Sequence, residues 1–364
     1  MADTSNVPRR RAHISRETAF AIADITPLSG GTANYVFRLH LLTPYHGRET
    51  LVFKHAKPYI KDSQGIAFTL DRQVYEVEAL RRVRAWLPAD SVVTVPEVHL
   101  FDEEAHAIIM DDTGPGSINL KAFMQQGGPS LTMAKNIGES IGLFLGRLHK
   151  WGQGNKELCG AVRGNTQAKA LAGWAYYGRL KDTLTGAADV PFLSDPPLGV
   201  SESDLTVIDR LVEETTRSIL QVESSFVMGD FWPGNLMVQL DEAGELKQIY
   251  VLDWEITREG LTGIEVGQFA AEIHLLRRCN AELCKDTASL VLEHFLKEYK
   301  RAAEPDSEVA RRAIVQWGTH MAILGARVQW GDKELSRAIV LEGVRILVDG
   351  YQGKLEESFV APLL

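Results

Sequence analysis

The spacing of apolar positions changes once along this chain. Up to about residue 112 it follows the two-residue period of strands. Tyr35–Leu42 reads YVFRLHLL and Thr50–His55 reads TLVFKH, both rich in aromatic and branched residues. A turn at Pro44-Tyr45-His46-Gly47 separates them, a brief strand over Ala23–Thr26 precedes them, and Val98–Phe101 and His106–Met110 supply two more. One helical stretch breaks this series: in Tyr75–Val83, Val77, Leu80 and Val83 share a side, with Glu76 near the opposite edge. Beyond Asp112-Thr113-Gly114-Pro115 the period lengthens to that of helices. It does so over Leu120–Met124, Met133–His149, Glu202–Val222, Val266–Leu276, Thr287–Arg301, Val309–Val328 and Lys333–Val348. A strand pair turning at Asp241-Glu242-Ala243-Gly244 interrupts the helices. The pattern predicts an α+β fold in two lobes. A disordered leader spans 1–14, a small β-rich lobe spans 15–112, with Ser15 capping a short helix through Ala21, and a large, mainly helical lobe spans 113–364.

Composition narrows the function more than the fold. With 364 residues, 45% of them hydrophobic, the chain can fill two cores. A net charge of −9 argues against a nucleic-acid surface, which needs a basic face, but leaves room for a nucleotide held by a few local cations. The three cysteines are too scattered for a disulfide framework, and Cys279 and Cys284 lack partners at zinc spacing. No apolar run approaches the roughly 18 residues of a membrane span. Arg9-Arg10-Arg11 is not followed by the apolar stretch of a secretory signal. A cytoplasmic enzyme without membrane or nucleic-acid partners is expected.

The chemistry concentrates in Phe226–Glu255, FVMGDFWPGNLMVQLDEAGELKQIYVLDWE. Asp230 is followed five residues later by Asn235, and Asp253-Trp254-Glu255 closes the next strand. A carboxylate that orients a hydroxyl, with an amide oxygen and a second carboxylate that hold Mg2+, is the set that phosphoryl transfer from ATP requires. The Asp-x4-Asn spacing equals that of the protein-kinase catalytic loop, which points to a bilobal, protein-kinase-like fold. Three weaker features precede it in the matching order. Gly30-Gly31, in the run ending at Asn34, lets backbone N–H groups approach phosphates, although two glycines alone also suit a plain hairpin turn. Lys54 on a strand suits phosphate binding, or a surface edge. Glu76 suits an ion pair with Lys54, with Glu78 on another face as second choice. Asp230, Asn235 and Asp253 taken singly also suit caps and turns. Trp232 and Pro233 stiffen the loop, and Trp232 either packs or lines an acceptor pocket.

At these residues the chain resembles the aminoglycoside phosphotransferase-like kinases, which include choline and methylthioribose kinases. The resemblance rests on Leu28-Ser29-Gly30-Gly31, Phe53-Lys54-His55-Ala56, Tyr75–Leu80, Ile109-Met110-Asp111-Asp112, Leu148-His149, Met228-Gly229-Asp230 with Asn235, Leu252-Asp253-Trp254-Glu255 and Gly267-Gln268-Phe269. The blocks VMGDFWPGN and LKQIYVLDWE are most similar to the fungal methylthioribose-kinase-like branch. The resemblance implies a small-molecule kinase that uses ATP to phosphorylate an alcohol or phenol on a small, amine-bearing molecule. Asp230 would orient or deprotonate the acceptor, and Asn235 and Asp253 would bind Mg2+. Lys54 with Glu76 would contact phosphates beside Gly30, Gly31 and Asn34, and the backbone of Met110, Asp111 and Asp112 would hold adenine. Two departures stand out. Met228 replaces the family's usual histidine and fits its packing role. Glu265 replaces the usual Asp, lengthening a carboxylate away from the metal.

For the acceptor, Glu255, Glu272, Asp332, Trp232, Trp317, His320 and Trp330 are the candidates, because an amine-bearing aromatic pairs with a carboxylate and stacks on indole. Packing explains Trp317, His320 and Trp330 equally well. Two rivals remain: an aminoglycoside kinase, which expects a strongly acidic wall, and a pseudokinase or binding module, against which the retention of Lys54, Asp230, Asn235 and Asp253 argues.

Overall fold

The computed structural model describes residues 20–364 apart from Gly30, Ser224 and Gln329. The expected leader, most of the Ser15 helix and Gly30 therefore lie outside the described residues. Chain order begins with β1 (Ile22–Pro27), β2 (Tyr35–Tyr45), β3 (Arg48–His55), a small hairpin of β4 (Tyr59–Ile60) and β5 (Ser63–Ala67), and helix α1 (Arg72–Trp86). Short β6 (Val93–Thr94), β7 (Val98–Asp102), β8 (Ala107–Asp111) and β9 (Ile118–Asn119) follow. Five of these make an antiparallel sheet in the order β1-β2-β3-β8-β7. The turn from β2 to β3 places His46 and Gly47 at φ 48° and 79°, the left-handed pair that matches the twist of a tight hairpin.

Alternation along β3 gives the sheet two different faces. Leu51 and Phe53 enter a core with Phe37, Leu39 and Ile109. Val52 packs on the other side with Val77 and Leu80 of α1, and Lys54 shares that side by the strand period. The sequence places this lysine on a surface edge as one option. The structure puts it in a central strand, flanked by β2 and β8.

The helical part begins with α2 (Leu120–Gln125), α3 (Leu131–Gly152), α4 (Lys156–Val162), α5 (Thr166–Ala172), a π-helical turn (Gly173–Gly178), α6 (Leu180–Thr185), α7 (Pro191–Ser194) and α8 (Glu202–Gln221). It continues through β10 (Phe226–Val227), β11 (Leu236–Leu240), β12 (Leu246–Val251), β13 (Arg258–Glu259), α9 (Thr262–Cys279), α10 (Ala281–Ala303), α11 (Ser307–Leu324) and α12 (Lys333–Tyr351). Side-chain caps start four of the long helices: Ser130, Ser201, Asp306 and Asp332 each accept a backbone N–H three residues on. Asp332, an acceptor candidate in the sequence, is thus a cap.

The segment from α4 to α7 was not expected. Its helices have seven residues or fewer, too short to show a period, and are held by packing: α4 on α1 and β13, the later ones on α8, α11 and α12. The helix expected over Val309–Val328 ends at Leu324, where Gly325 starts a turn packed against Ile339. The second sheet, β6-β12-β11-β9, recruits β6 from before the helical region, with Val93 opposite Ile249 and Thr94 opposite Tyr250. That pairing ties the two halves together directly beneath the Asp253 turn.

Candidate active site

One end of the site is a buried charge network around Lys54. Its Nζ lies 2.7 Å from Glu76 Oε1 of α1 and 2.5 Å from Asp253 Oδ1 just after β12. Glu76 is the partner, and Glu78 turns instead to Arg82. Asp253 holds φ at 65°, a left-handed conformation uncommon for Asp, and this turns its carboxylate toward the lysine. Burial alone would lower the lysine's pKa, but the charges of Asp253, Glu76 and Glu255 outweigh it and hold Nζ protonated. Burial and the neighbouring carboxylates push Glu76 and Glu255 upward. Oxygens of Glu76, Asp253 and Glu255 lie within 4.8 Å of one another, and Asp253 is the one open to solvent. Such crowded carboxylates, with one accessible, suit a divalent cation.

Arg72, the first residue of α1, organises the back of this network and was not singled out in the sequence. All five of its guanidinium donors are used. Nε donates to Glu255, one amino group to the carbonyls of Phe68 and Thr69, and the other to Asn34 Oδ1 and the Lys57 carbonyl. Asn34 in turn donates to Glu255 at 2.7 Å. Two expectations change here. Asn34 is a buried strut, its amide oxygen held by Arg72 and its amino group by Glu255, behind the lysine and not lining the phosphate turn. Glu255 belongs to the lysine side and not to an acceptor wall. An arginine opening a helix normally faces solvent, so no local signal marked this one.

The expected glycine turn is backed by the β4–β5 hairpin. Lys61 Nζ and N–H donate to the carbonyls of Gly31 and Ala33, and the Asp62 N–H donates to Thr32. At the opposite edge, Met110 lies within β8 between β3 and β7. The side chains of Asp111 and Asp112 are occupied: Asp111 by Arg48 and His99 at 2.7 and 2.8 Å, and Asp112 by Arg38 at 2.5 Å. What these two residues can offer a nucleotide is backbone.

The other end is the loop holding Asp230. Gly229 sits at φ 99°, and a Cβ there would stand 2.2 Å from the Arg258 guanidinium and 2.3 Å from the Ile256 carbonyl, so only glycine fits. Glu265 of α9 fixes the loop backbone, accepting the N–H groups of Met228 at 3.2 Å and Gly229 at 2.5 Å and pairing with His149 at 2.8 Å. The longer carboxylate is therefore a clamp on the loop. Met228 itself is fully buried in the main core, in line with a packing role. Asp230 accepts Gln268 Nε2 at 2.7 Å on one oxygen and Asn235 Nδ2 at 3.0 Å on the other. With its N–H committed there, Asn235 has its carbonyl oxygen to offer a cation. Burial first, then the Asp253 charge, pushes Asp230 up to about 6 against the hydrogen bonds of Gln268, Asn235 and Trp232.

Glu272 lies one helical turn beyond Gln268 on α9. Its carboxylate meets His320 Nε2 at 2.8 Å and Lys121 Nζ at 2.9 Å. Lys121 stands over the rings of Trp330, at 4.2 Å, and Trp232, at 5.3 Å. Tyr176, from the π-helical turn, stacks on His320 at 5.7 Å. Its hydroxyl is held protonated by burial and then by the charges of Asp230 and Glu272. Trp317 is the correction on this side: it is fully buried between His274 and Phe359 and faces no cleft. Lys121 and Tyr176 were not foreseen, since each meets the site from an element far away in sequence.

A fold with a strand lysine anchored to a helix glutamate, opposite an Asp-x4-Asn loop, is that of enzymes that move phosphoryl groups. The chain belongs to the phosphotransferase enzyme family, whose model matches residues 24–312. It is 30% identical over 328 residues to the 4-hydroxytryptamine kinase of Psilocybe cyanescens, covering 87% of this chain and 84% of that one. Identity to the 4-hydroxytryptamine kinase of Psilocybe cubensis is 27% over 334 residues, 88% of this chain and 86% of that one. The fold is similar to that of the choline kinase LicA from Streptococcus pneumoniae, with a TM-score of 0.51 and 15% identity, covering 95% of this chain and all of that one. The resemblance and the α+β fold read from the sequence both hold, and the protein is a small-molecule kinase.

Proposed function

We propose that the protein transfers the γ-phosphoryl group of Mg-ATP to a hydroxyl of a small aromatic molecule. The observation that carries this is Lys54, bridging Glu76 and Asp253 while Asp230 waits across the site with an elevated pKa. Lys54 would contact the phosphates beside the turn at Gly31, and the backbone from Met110 to Asp112 would receive adenine. Asn235 and Asp253 would hold the magnesium ion, which when bound neutralises charge on the phosphates. Asp230 would accept a hydrogen bond from the acceptor hydroxyl. As the hydroxyl oxygen bonds to the γ-phosphorus and the bond to the bridging oxygen breaks, its proton passes to Asp230 and ADP leaves. A carboxylate with a pKa near 6 is ionised at neutral pH and more basic than a solvated one.

The 30% identity to a hydroxytryptamine kinase supports an indole-like acceptor. Trp232 and Trp330, with Glu272 behind them, would form its wall. An aminoglycoside-type acceptor is disfavoured, because the buried Glu272 is already met by Lys121 and His320. A cytoplasmic setting suits ATP use and the free cysteines. Among the described residues, no helix is long and apolar enough to cross a membrane. The test is a thermal-shift titration with ATP, with and without magnesium, on the wild type and Lys54→Ala. A magnesium-dependent shift lost in the variant is expected; no shift in the wild type would favour a binding module.

A further inference from the structure

Glu272, Trp232 and Trp330 surround the place where an ammonium group of a ligand would go, and that place is filled. Lys121 projects its own ammonium over both indoles and onto the carboxylate. Burial alone would push Glu272 up, yet His320 and Lys121 hold it below the usual carboxylate range. A ligand amine would have to evict a tethered cation and leave it unpaired, which is costly at a buried pair. What the wall still offers is donors. Lys121 spends one of its three N–H groups on Glu272 and has no other protein acceptor among the described residues. The indole N–H of Trp330 is buried and also lacks an acceptor there. Lys121 lies near Asp230: Trp232, which it stands over, belongs to the Asp230 loop, and Glu272, which it meets, follows Gln268 by one helical turn, about 6 Å along the axis.

Building on the kinase reading above, we propose that Lys121 selects the acceptor, admitting a hydroxylated bicyclic aromatic whose side arm carries a carboxylate or carbonyl and rejecting one with a free ammonium. The ring would lie along Trp232, its hydroxyl at Asp230, and the side-arm oxygen would accept from Lys121. The protein would thereby differ in acceptor from the hydroxytryptamine kinases it is similar to.

The experiment compares hydroxyindole-acetic acid, N-acetyl-hydroxytryptamine and hydroxytryptamine, in matched ring isomers, on the wild type, Lys121→Met and Lys121→Gln. Methionine keeps the stem against the indoles and removes the charge, and glutamine guards against a folding defect in the first variant. Calorimetric binding in the presence of Mg-AMP-PNP is read alongside ADP release. Wild type is expected to prefer the carboxylate or acyl compound by about ten- to hundredfold, the range of a hydrogen bond to a charged partner. Both variants should lose that preference through affinity and KM, with kcat little changed. Tighter binding of the amine by wild type overturns the proposal, and so does an order of affinities unmoved in the variants, or no binding of any of the three. Failure of the kinase reading looks different: Mg-AMP-PNP does not bind, or ligands bind in the expected order without Asp230-dependent ADP release.

Discussion

Asp230 is the residue whose surroundings most constrain the chemistry. Its two oxygens are held by Gln268 and Asn235, so a rotation that would swing it from the acceptor breaks both bonds. Asp230→Asn should lower kcat by about 10²- to 10⁴-fold while ATP affinity stays close to wild type, as steady-state kinetics and nucleotide titration would show. Equal loss of both would assign the residue to nucleotide binding. The pH dependence follows from the pKa near 6. The ionised form is the competent one, so kcat/KM for the acceptor should rise about tenfold per pH unit up to about pH 6 and then level. Stability moves the other way. A carboxylate whose folded pKa lies above its unfolded value contributes most below the unfolded pKa, and that contribution is lost as pH rises from about 4 to about 6. The melting temperature of Asp230→Asn relative to wild type should therefore be higher at neutral pH than at pH 4, and a constant difference would contradict the assigned pKa. Asp230, Asn235 and Asp253 were legible as residues because their spacing is local. Arg72 and Lys121 were not, since lysine and arginine are usually at the surface and only contacts distant in sequence make these two special.

At the scale of elements, α9 is the part that assembles the site. Glu265, Gln268 and Glu272 recur at three and four residues and therefore share one face of the helix. The first clamps the loop backbone, the second holds Asp230 and the third anchors Lys121. Glu265→Ala would leave two loop N–H groups without an acceptor, each costing about 1–3 kcal/mol when buried. Denaturant melts should show that loss. Turnover should fall at least as far as in Asp230→Asn only if the loop collapses, and otherwise by a smaller factor that Glu265→Asp partly restores. Wild-type kcat in Glu265→Ala would remove the clamp from the account. The sequence did expose a helix over Val266–Leu276. It gave no way to tell that Glu265, Gln268 and Glu272 face the site, because polar residues at helical spacing on a solvated face have the same period.

For the whole molecule, the helical half depends on close backbone approach. Gly138, Gly142 and Gly146 line one side of α3, and a Cβ at the first two would stand 2.5 and 2.4 Å from the carbonyls of Val291 and Phe295 on α10. Gly142→Ala must push these helices apart and should destabilise the fold by about 1–3 kcal/mol in equilibrium unfolding, with acceptor KM unaffected. Gly160→Ala on α4, with nothing within 4 Å, is the control and should be neutral or stabilising by up to about 1 kcal/mol. A harmless Gly142→Ala would mean that the helices are not packed this tightly. The sequence by itself determined the order of the main strands and long helices, the Asp-x4-Asn loop, and the lysine and glutamate as candidates, and hence the reaction, since each is written in local period or spacing. Tertiary structure alone decided which charges neutralise which. It made Asn34 and Glu255 partners of Arg72, turned Trp317 into core, and set Lys121 on Glu272 across 151 residues of chain. The physical reason is that period and spacing report on neighbours within a turn or a strand, whereas the partner of a buried charge is whichever group the folded chain brings within about 3 Å.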